Sequence, residues 1–277
     1  MSMRSTAAYS GNTPRSDFGD AALRAAFAAG RALEQKFYGA RAVQSKGYRD
    51  IVTDADFAAD HAARVLIERA FPEHAIISEE DKTPPRRAEF VWLMDPLDGT
   101  TNYARQLPIF CTSICLTRRG QPLVGVVLDP LRDECFFAER GRGAFLNGTR
   151  LRASKISTLE RAVIGYELAR EPQMRALGLR LFTHFAMQSI TARVGGSAAL
   201  SLCYVGAGRL DTYMQLTLSP WDVAAGILVV REAGARVTHL NGKRATLKGG
   251  AYLAGAPGIF REFLKQASDQ LSVTSDQ

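Results

Sequence analysis

Residues 91–102 read VWLMDPLDGTTN, an apolar strand that runs without a spacer into two aspartates, a glycine, two threonines and an asparagine. A turn needs an Asp or a Gly and sometimes a Pro, but it does not need all of them together. Asp95 at the strand end and Asp98 on the turn can face one point in space, with the carbonyl of Leu97 between them as a third oxygen. Gly99 and Thr100 follow where a helix can begin, and free backbone N–H groups at such a start attract phosphate. The stretch therefore suits a divalent cation and an anion held side by side. Each part also has a plain structural reading: Asp95-Pro96 ends a strand, and Asp98-Gly99 makes a tight turn.

Two further acidic groups stand at the ends of apolar elements. Glu79 and Glu80 follow the short run AIIS, and Asp222 opens a helical stretch after Pro220-Trp221. Clusters of carboxylates without His or Cys suit hard cations such as Mg²⁺. The four cysteines (Cys111, Cys115, Cys135, Cys203) form no C-x-x-C pair and have no His at ligand spacing, which speaks for free thiols and a cytoplasmic setting. Of the 277 residues 46% are apolar, enough for a sizeable core, and no apolar run is long enough to span a bilayer. The net charge of +7 attracts anions. Its arginines and lysines are dispersed over turns, so nucleic acid is admitted but no motif indicates it.

Along the chain, residues 1–16 are polar and small and are expected to be disordered. Helical spacing appears over 17–38 and again from Thr53 to Phe71, with a loop between them. AIIS and VWLM read as strands. TSICLTR, PLVGVVLDP and ECFFAER form an antiparallel meander, and GRGAFLNGTRLR adds a hairpin with Asn147-Gly148 at its tip. After about residue 155 strands and helices alternate: AVIGYE, a helix over 172–186, SITAR, a helix in SAALSLCYVGAG, LDTYMQ, a helix in WDVAAGILVVREAG, AYLAG and a last helix from 257. The reading is an α+β half over 17–155 and an α/β half over 156–277, joined as one compact unit.

Other phosphate and metal motifs fail on spacing: the EF-hand rhythm and the P-loop are absent, and DPLDGT holds one residue too many for D-x-D-x-T. WLMDPLDGTTNY instead resembles the W-x-x-D-P-(I/L)-D-G-T-x-N-(F/Y) signature of the inositol monophosphatase family. PWDVAAGILVVREAGA resembles its second signature, and DIVTDAD and ISEED match its remaining site segments. The resemblance covers nearly the whole chain from about residue 20. It implies a layered α-β-α-β-α sandwich of the sugar-phosphatase type and two to three Mg²⁺ ions. Glu79, Asp95 and the Leu97 carbonyl would hold a first ion, Asp95, Asp98 and Asp222 a second, and Glu79 with waters a weaker third. Thr100, oriented by Asp56, would position the attacking water together with Glu79, while Gly99 and Thr100 grip the phosphate. Thr53-x-x-Asp56 also fits a helix capping box.

The resemblance further implies a homodimer, sensitivity to lithium, and a substrate rim of Arg193, Gly196, Ser197 and Ala198. Where the family usually carries a glutamate against an inositol hydroxyl, this chain has Gln215, which donates as well as accepts and carries no charge. Lys46 and Glu80 are placed near the site as loop contacts. The implied reaction is Mg²⁺-dependent hydrolysis of myo-inositol 1-phosphate. Fructose 1,6-bisphosphate, histidinol phosphate and adenosine 3′,5′-bisphosphate remain as alternative substrates, and a basic RNA- or protein-binding scaffold as an alternative of another class.

Overall fold

The computed structural model describes residues 15–39, 42–81 and 88–272. The expectation of disorder over 1–16 falls on residues outside these except for Arg15 and Ser16. Ser16 caps the first helix, its hydroxyl accepting from the Gly19 amide at 3.3 Å while its own amide donates to Glu139.

A seven-stranded sheet carries β3 (Ala75–Ser78), β4 (Phe90–Asp98), β5 (Cys111–Arg118), β6 (Gln121–Asp129), β7 (Glu134–Glu139), β8 (Gly143–Leu146) and β9 (Thr149–Arg150) in chain order. Its first pair, β3 with β4, is parallel, and the rest form the expected antiparallel meander. Period-two alternation splits its side chains between two cores. Trp92, Met94, Ile114 and Val126 face the helices α1 (Asp17–Phe37) and α2 (Asp54–Ala70), whereas Leu93, Cys115, Val127 and Phe136 face the other way.

That second face is covered by α5 (Ala198–Gly206) and α6 (Pro220–Glu232), both of which are apolar on every side. A helix apolar all round must be buried all round. Ala224, Ala225 and Leu228 of α6 meet the large sheet, while Val223, Ile227 and Val230 meet a smaller one. The smaller sheet has the order β11 (Thr191–Val194), β10 (Val163–Tyr166), β12 (Thr212–Leu218), β14 (Gly250–Gly255) and β13 (Arg236–His239). Its outer face is closed by α4 (Pro172–Ala186) and α7 (Phe260–Ser272) through Leu181, Phe185 and Phe263. The layers therefore run α-β-α-β-α, as the resemblance implied.

Two elements depart from the sequence reading. The loop expected before α2 contains a hairpin, β1 (Val43–Gly47) with β2 (Asp50–Thr53). Every residue of β1 is exposed, so no apolar alternation marks it. The edge strand β13, four residues long, was likewise unread.

Candidate active site

The register of β4 answers the question raised by DPLD. Asp95 pairs with Ser113 and Asp98 with Cys111, so three steps on β4 oppose two on β5. The extra residue is a bulge, which bends the strand and re-aims its side chains. Pro96, having no N–H to give the ladder, sits inside this interruption. A second irregularity of the same count falls on β12 between Gln215 and Leu218, opposite Tyr252 and Gly250. Both strands thus break register where they reach the site.

Carboxylate oxygens of Glu79, Asp95 and Asp222 lie within 4.8 Å of one another. They arrive from three places: the end of β3, the bulge of β4 and the first turn of α6. Glu79 is fixed by its amide, which donates to the Met94 carbonyl at 3.0 Å, and Asp95 by accepting from the Leu97 amide at 3.0 Å. Asp222 closes a capping box with Ser219, whose amide donates to it at 2.7 Å.

Asp98 stands beside the cluster with one oxygen committed. Its Oδ2 accepts from the Ser197 hydroxyl at 2.6 Å and from the Ala199 amide at 2.7 Å, at the start of α5. Thr100 Oγ1 lies 3.0 Å from the Leu97 carbonyl and 3.3 Å from Asp56 Oδ1, and its one proton is shared between them. The other oxygen of Asp56 accepts from the amide and hydroxyl of Thr53. The capping box and the Thr100 contact therefore coexist in one side chain. The N-termini of α2, α5 and α6 all point here, and their dipoles favour the gathered negative charge.

Without a cation that charge is costly. Burial first, then the charges of Glu79, Asp98 and Asp222, push the Asp95 carboxyl well above its ordinary range. Burial and the charges of Glu79 and Asp98 do the same to Asp222. Burial lifts Asp98 to about 6 against its bonds from Ser197 and Ala199, and lifts Asp56 to about 7 against those from Thr53.

The cluster opens into a cavity of about 550 Å³ lined by Glu79, Asp95, Leu97, Asp98, Gly99 and Thr100 from the first half of the chain. Gly196, Ala198, Gln215 and Asp222 line it from the second half. Gly99 has φ of +96°, and a Cβ there would stand 3.0 Å from the Ile109 carbonyl and 3.2 Å from that of Gly196. Gln215 is buried, its amide oxygen accepting from the Leu216 amide at 3.3 Å. Ser197 reaches the site only through Asp98. Arg193 lies outside the lining, its guanidinium turned to Thr191 and the Ala192 carbonyl. Lys46 and Glu80 also lie outside it, paired with each other at 2.7 Å, with Lys46 a further 3.4 Å from Glu79.

Three residues of the site escaped the sequence reading. Glu167 is buried and accepts from the amides of Gly195 and Gly196 and from Ser201, pinning the turn that carries the rim. Asn102 donates to the carbonyls of Gly195 and Ile109, binding that turn to the segment after Asp98. Arg170 spans from the segment between β10 and α4 to Asp50 on the β1–β2 hairpin at 2.8 Å, and both line the cavity. Only Asn102 had a local signal, as part of the DGTTN run.

Every donor at the cluster is an oxygen, and the carboxylates repel one another until a cation joins them, so the residues fit Mg²⁺. Fold and centre together define a layered α-β-α-β-α protein with a carboxylate site for a hard divalent cation. A model of the inositol monophosphatase family matches residues 15–272, and the chain belongs to that family, which is of phosphatase type and generally Mg²⁺-dependent. Over 256 residues it is 38% identical to Nus factor SuhB of Escherichia coli strain K12, covering 91% of this chain and 96% of that one. The structure of extragenic suppressor protein suhB from Bartonella henselae is similar at a TM-score of 0.86 and 35% identity, over 91% of this chain and 98% of that one. Inositol monophosphatase from Anabaena (Nostoc) sp. PCC 7120 is similar at a TM-score of 0.82 and 35% identity, over 91% and 95% of the two chains.

Proposed function

We propose that this chain hydrolyses a phosphate monoester with Mg²⁺, with myo-inositol 1-phosphate as the leading substrate. The observation that carries the reading is the meeting of Glu79, Asp95 and Asp222 from three separate elements. Glu79, Asp95 and the Leu97 carbonyl would hold one ion, Asp95, Asp98 and Asp222 a second, and Glu79 a third. Bound there, Mg²⁺ supplies Lewis-acid polarisation of the phosphate and a water acidic enough to attack near neutral pH.

The chain's own groups do the rest. Thr100 and Glu79 orient the attacking water, and Asp56 holds the Thr100 hydroxyl in place. The backbone at Gly99 and Thr100 receives the phosphate. The alcohol faces Gly196, Ala198 and Gln215, while Ser197 fixes Asp98 from behind. Inhibition by Li⁺ belongs to the same reading. So does a cytoplasmic setting, supported by four buried, free cysteines. A homodimer is part of the same reading.

The test is phosphate release with Mg²⁺ and with chelator from inositol 1-phosphate, fructose 1,6-bisphosphate, histidinol phosphate and adenosine 3′,5′-bisphosphate. Mg²⁺-dependent turnover greatest on inositol 1-phosphate is expected. A different preferred substrate would keep the chemistry and change the enzyme, and silence on all four from folded protein would remove the catalytic reading. The net charge of +7 leaves a second reading, a basic scaffold that binds RNA or a protein. Salt-dependent RNA binding that survives Asp98→Asn would support it.

A further inference from the structure

A second cavity of about 550 Å³ lies at the opposite end of α6, between β13, the turn that follows it and α7. It shares no lining residue with the acidic site. Arg231 from the last turn of α6 is nine residues beyond Asp222, roughly 13 Å along the helix at 1.5 Å per residue. Arg236, Arg244 and Arg261 join it from β13, the turn and α7, and no carboxylate of the described residues is in the lining.

A surface arginine is ordinarily a solvated charge, and Arg231 has local uses: it sits at the negative end of α6 and donates to the Ala245 carbonyl at 2.9 Å. Those uses do not account for its neighbours. Burial, then the charges of Arg244 and Arg140, hold the Arg231 guanidinium below its usual range. Among the described residues, none of the four lining arginines is paired with an acid. Thr238 also lines the cavity. Phe260 and Leu264 form an apolar wall on one side.

The geometry points to a second binding site here, for a small anion carrying more than one phosphate group. Planar guanidiniums bind phosphate oxygens in pairs, which relieves their mutual repulsion. The Phe260–Leu264 wall can take an attached apolar or planar group. The volume is that of a small-molecule site rather than a track for an extended strand. Two sources share this chemistry, a nucleoside triphosphate and an inorganic polyphosphate.

The test uses the full chain in chelator, with ATP, tripolyphosphate, inorganic phosphate and single-stranded RNAs of increasing length titrated by calorimetry. One ATP or tripolyphosphate per chain is expected, weakened about tenfold or more in Arg244→Gln/Arg261→Gln through lost charge-assisted bonds. Binding should be unchanged in Asp98→Asn, and Mg²⁺-dependent phosphate release should be unchanged in the double variant. Tighter ATP than tripolyphosphate would assign the site to a nucleotide, and equal binding to polyphosphate; either outcome supports it. Binding that survives the double variant, that vanishes in Asp98→Asn, that inorganic phosphate matches, or that only RNA shows with affinity growing by length would overturn it. Arg236→Gln, on the exposed side of β13, gives the same reading should the double variant lose its fold.

Discussion

At the scale of single residues, the aspartates at the site hold their protons to higher pH than ordinary carboxyls do. Asp98 titrates near 6 and Asp56 near 7, against 3.8 for an ordinary aspartate. The folded form therefore keeps protons that the unfolded chain has already released. Below about pH 4 both forms are protonated and there is no penalty. As pH rises from about 4 to about 7 the unfolded state loses protons first, so metal-free stability should fall across that window. Melting temperatures in chelator would show the fall, and a flat or rising profile would contradict it. Adding Mg²⁺ should restore only part, since Glu167 and Asp129 are raised in the same direction without belonging to the cluster. Asp98→Asn should flatten the metal-free profile and, if Asp98 is the ligand proposed, cost more than about 100-fold in Mg²⁺-dependent phosphate release while the fold remains.

Gln215 poses a question of selectivity at the same scale. It lines the cavity with a neutral amide where the family usually carries a carboxylate. Gln215→Glu should lower KM for inositol 1-phosphate relative to the other three phosphates, with kcat changed less, as for a group that binds the alcohol. An equal change of KM on all four would place its influence on the metals instead.

At the scale of elements, α6 does two jobs, since it fills the layer between the sheets and presents Asp222. Its fit against β6 is close: a Cβ on Gly125 would stand 3.0 Å from the Ala225 Cα and 3.2 Å from the Ala225 carbonyl. The obstacle is backbone, which cannot swing aside as a side-chain end can. Gly125→Ala should therefore cost roughly 1–3 kcal/mol by overpacking. It should also weaken Mg²⁺ binding, because α6 must shift with Asp222 on it. A variant that melts lower while binding Mg²⁺ normally would show that the helix shifts without moving its first turn.

Elements also show where sequence reading succeeds and stops. Helices and strands with a clear period, such as α1, α2 and the β5–β7 meander, were legible because burial imposes the pattern on the residues themselves. The β1 strand VQSKG was not, since all five residues are exposed and nothing selects their alternation. The acids of the site could be picked out because Glu79 and Asp95 follow apolar strands, Asp98 stands on the turn beyond and Asp222 opens an apolar helix. The two bulges that aim the site could not, because register belongs to a pair of strands. Glu167 is likewise one acid among many until the fold brings Gly195 and Gly196 to it.

At the scale of the molecule, the division near residue 155 is one of pattern, and the packing runs across it. The α5–α6 layer comes from the second half, yet Leu200 and Leu228 lie in a core with Leu93, Val127 and Phe136 of the first. The same two helices close the core of the small sheet through Leu202, Val205, Ile227 and Val230. Neither sheet can lose that layer without exposing an apolar face, so we expect the two halves to unfold together. Calorimetry should show one transition, with calorimetric and van't Hoff enthalpies equal. The proposed metal site would reinforce the coupling, since Glu79 and Asp95 come from one half and Asp222 from the other. A ligand bound only to the folded form at a hundred times its Kd adds about 2.7 kcal/mol. Mg²⁺ should accordingly raise the single melting point and slow hydrogen exchange both at the end of β4 and at the start of α6. In Asp222→Asn the protection at α6 should be lost, while that at β4 persists in part through Glu79 and Asp95. Two separate transitions, with Mg²⁺ moving only the first half, would mean that the halves are joined by the chain more than by the core.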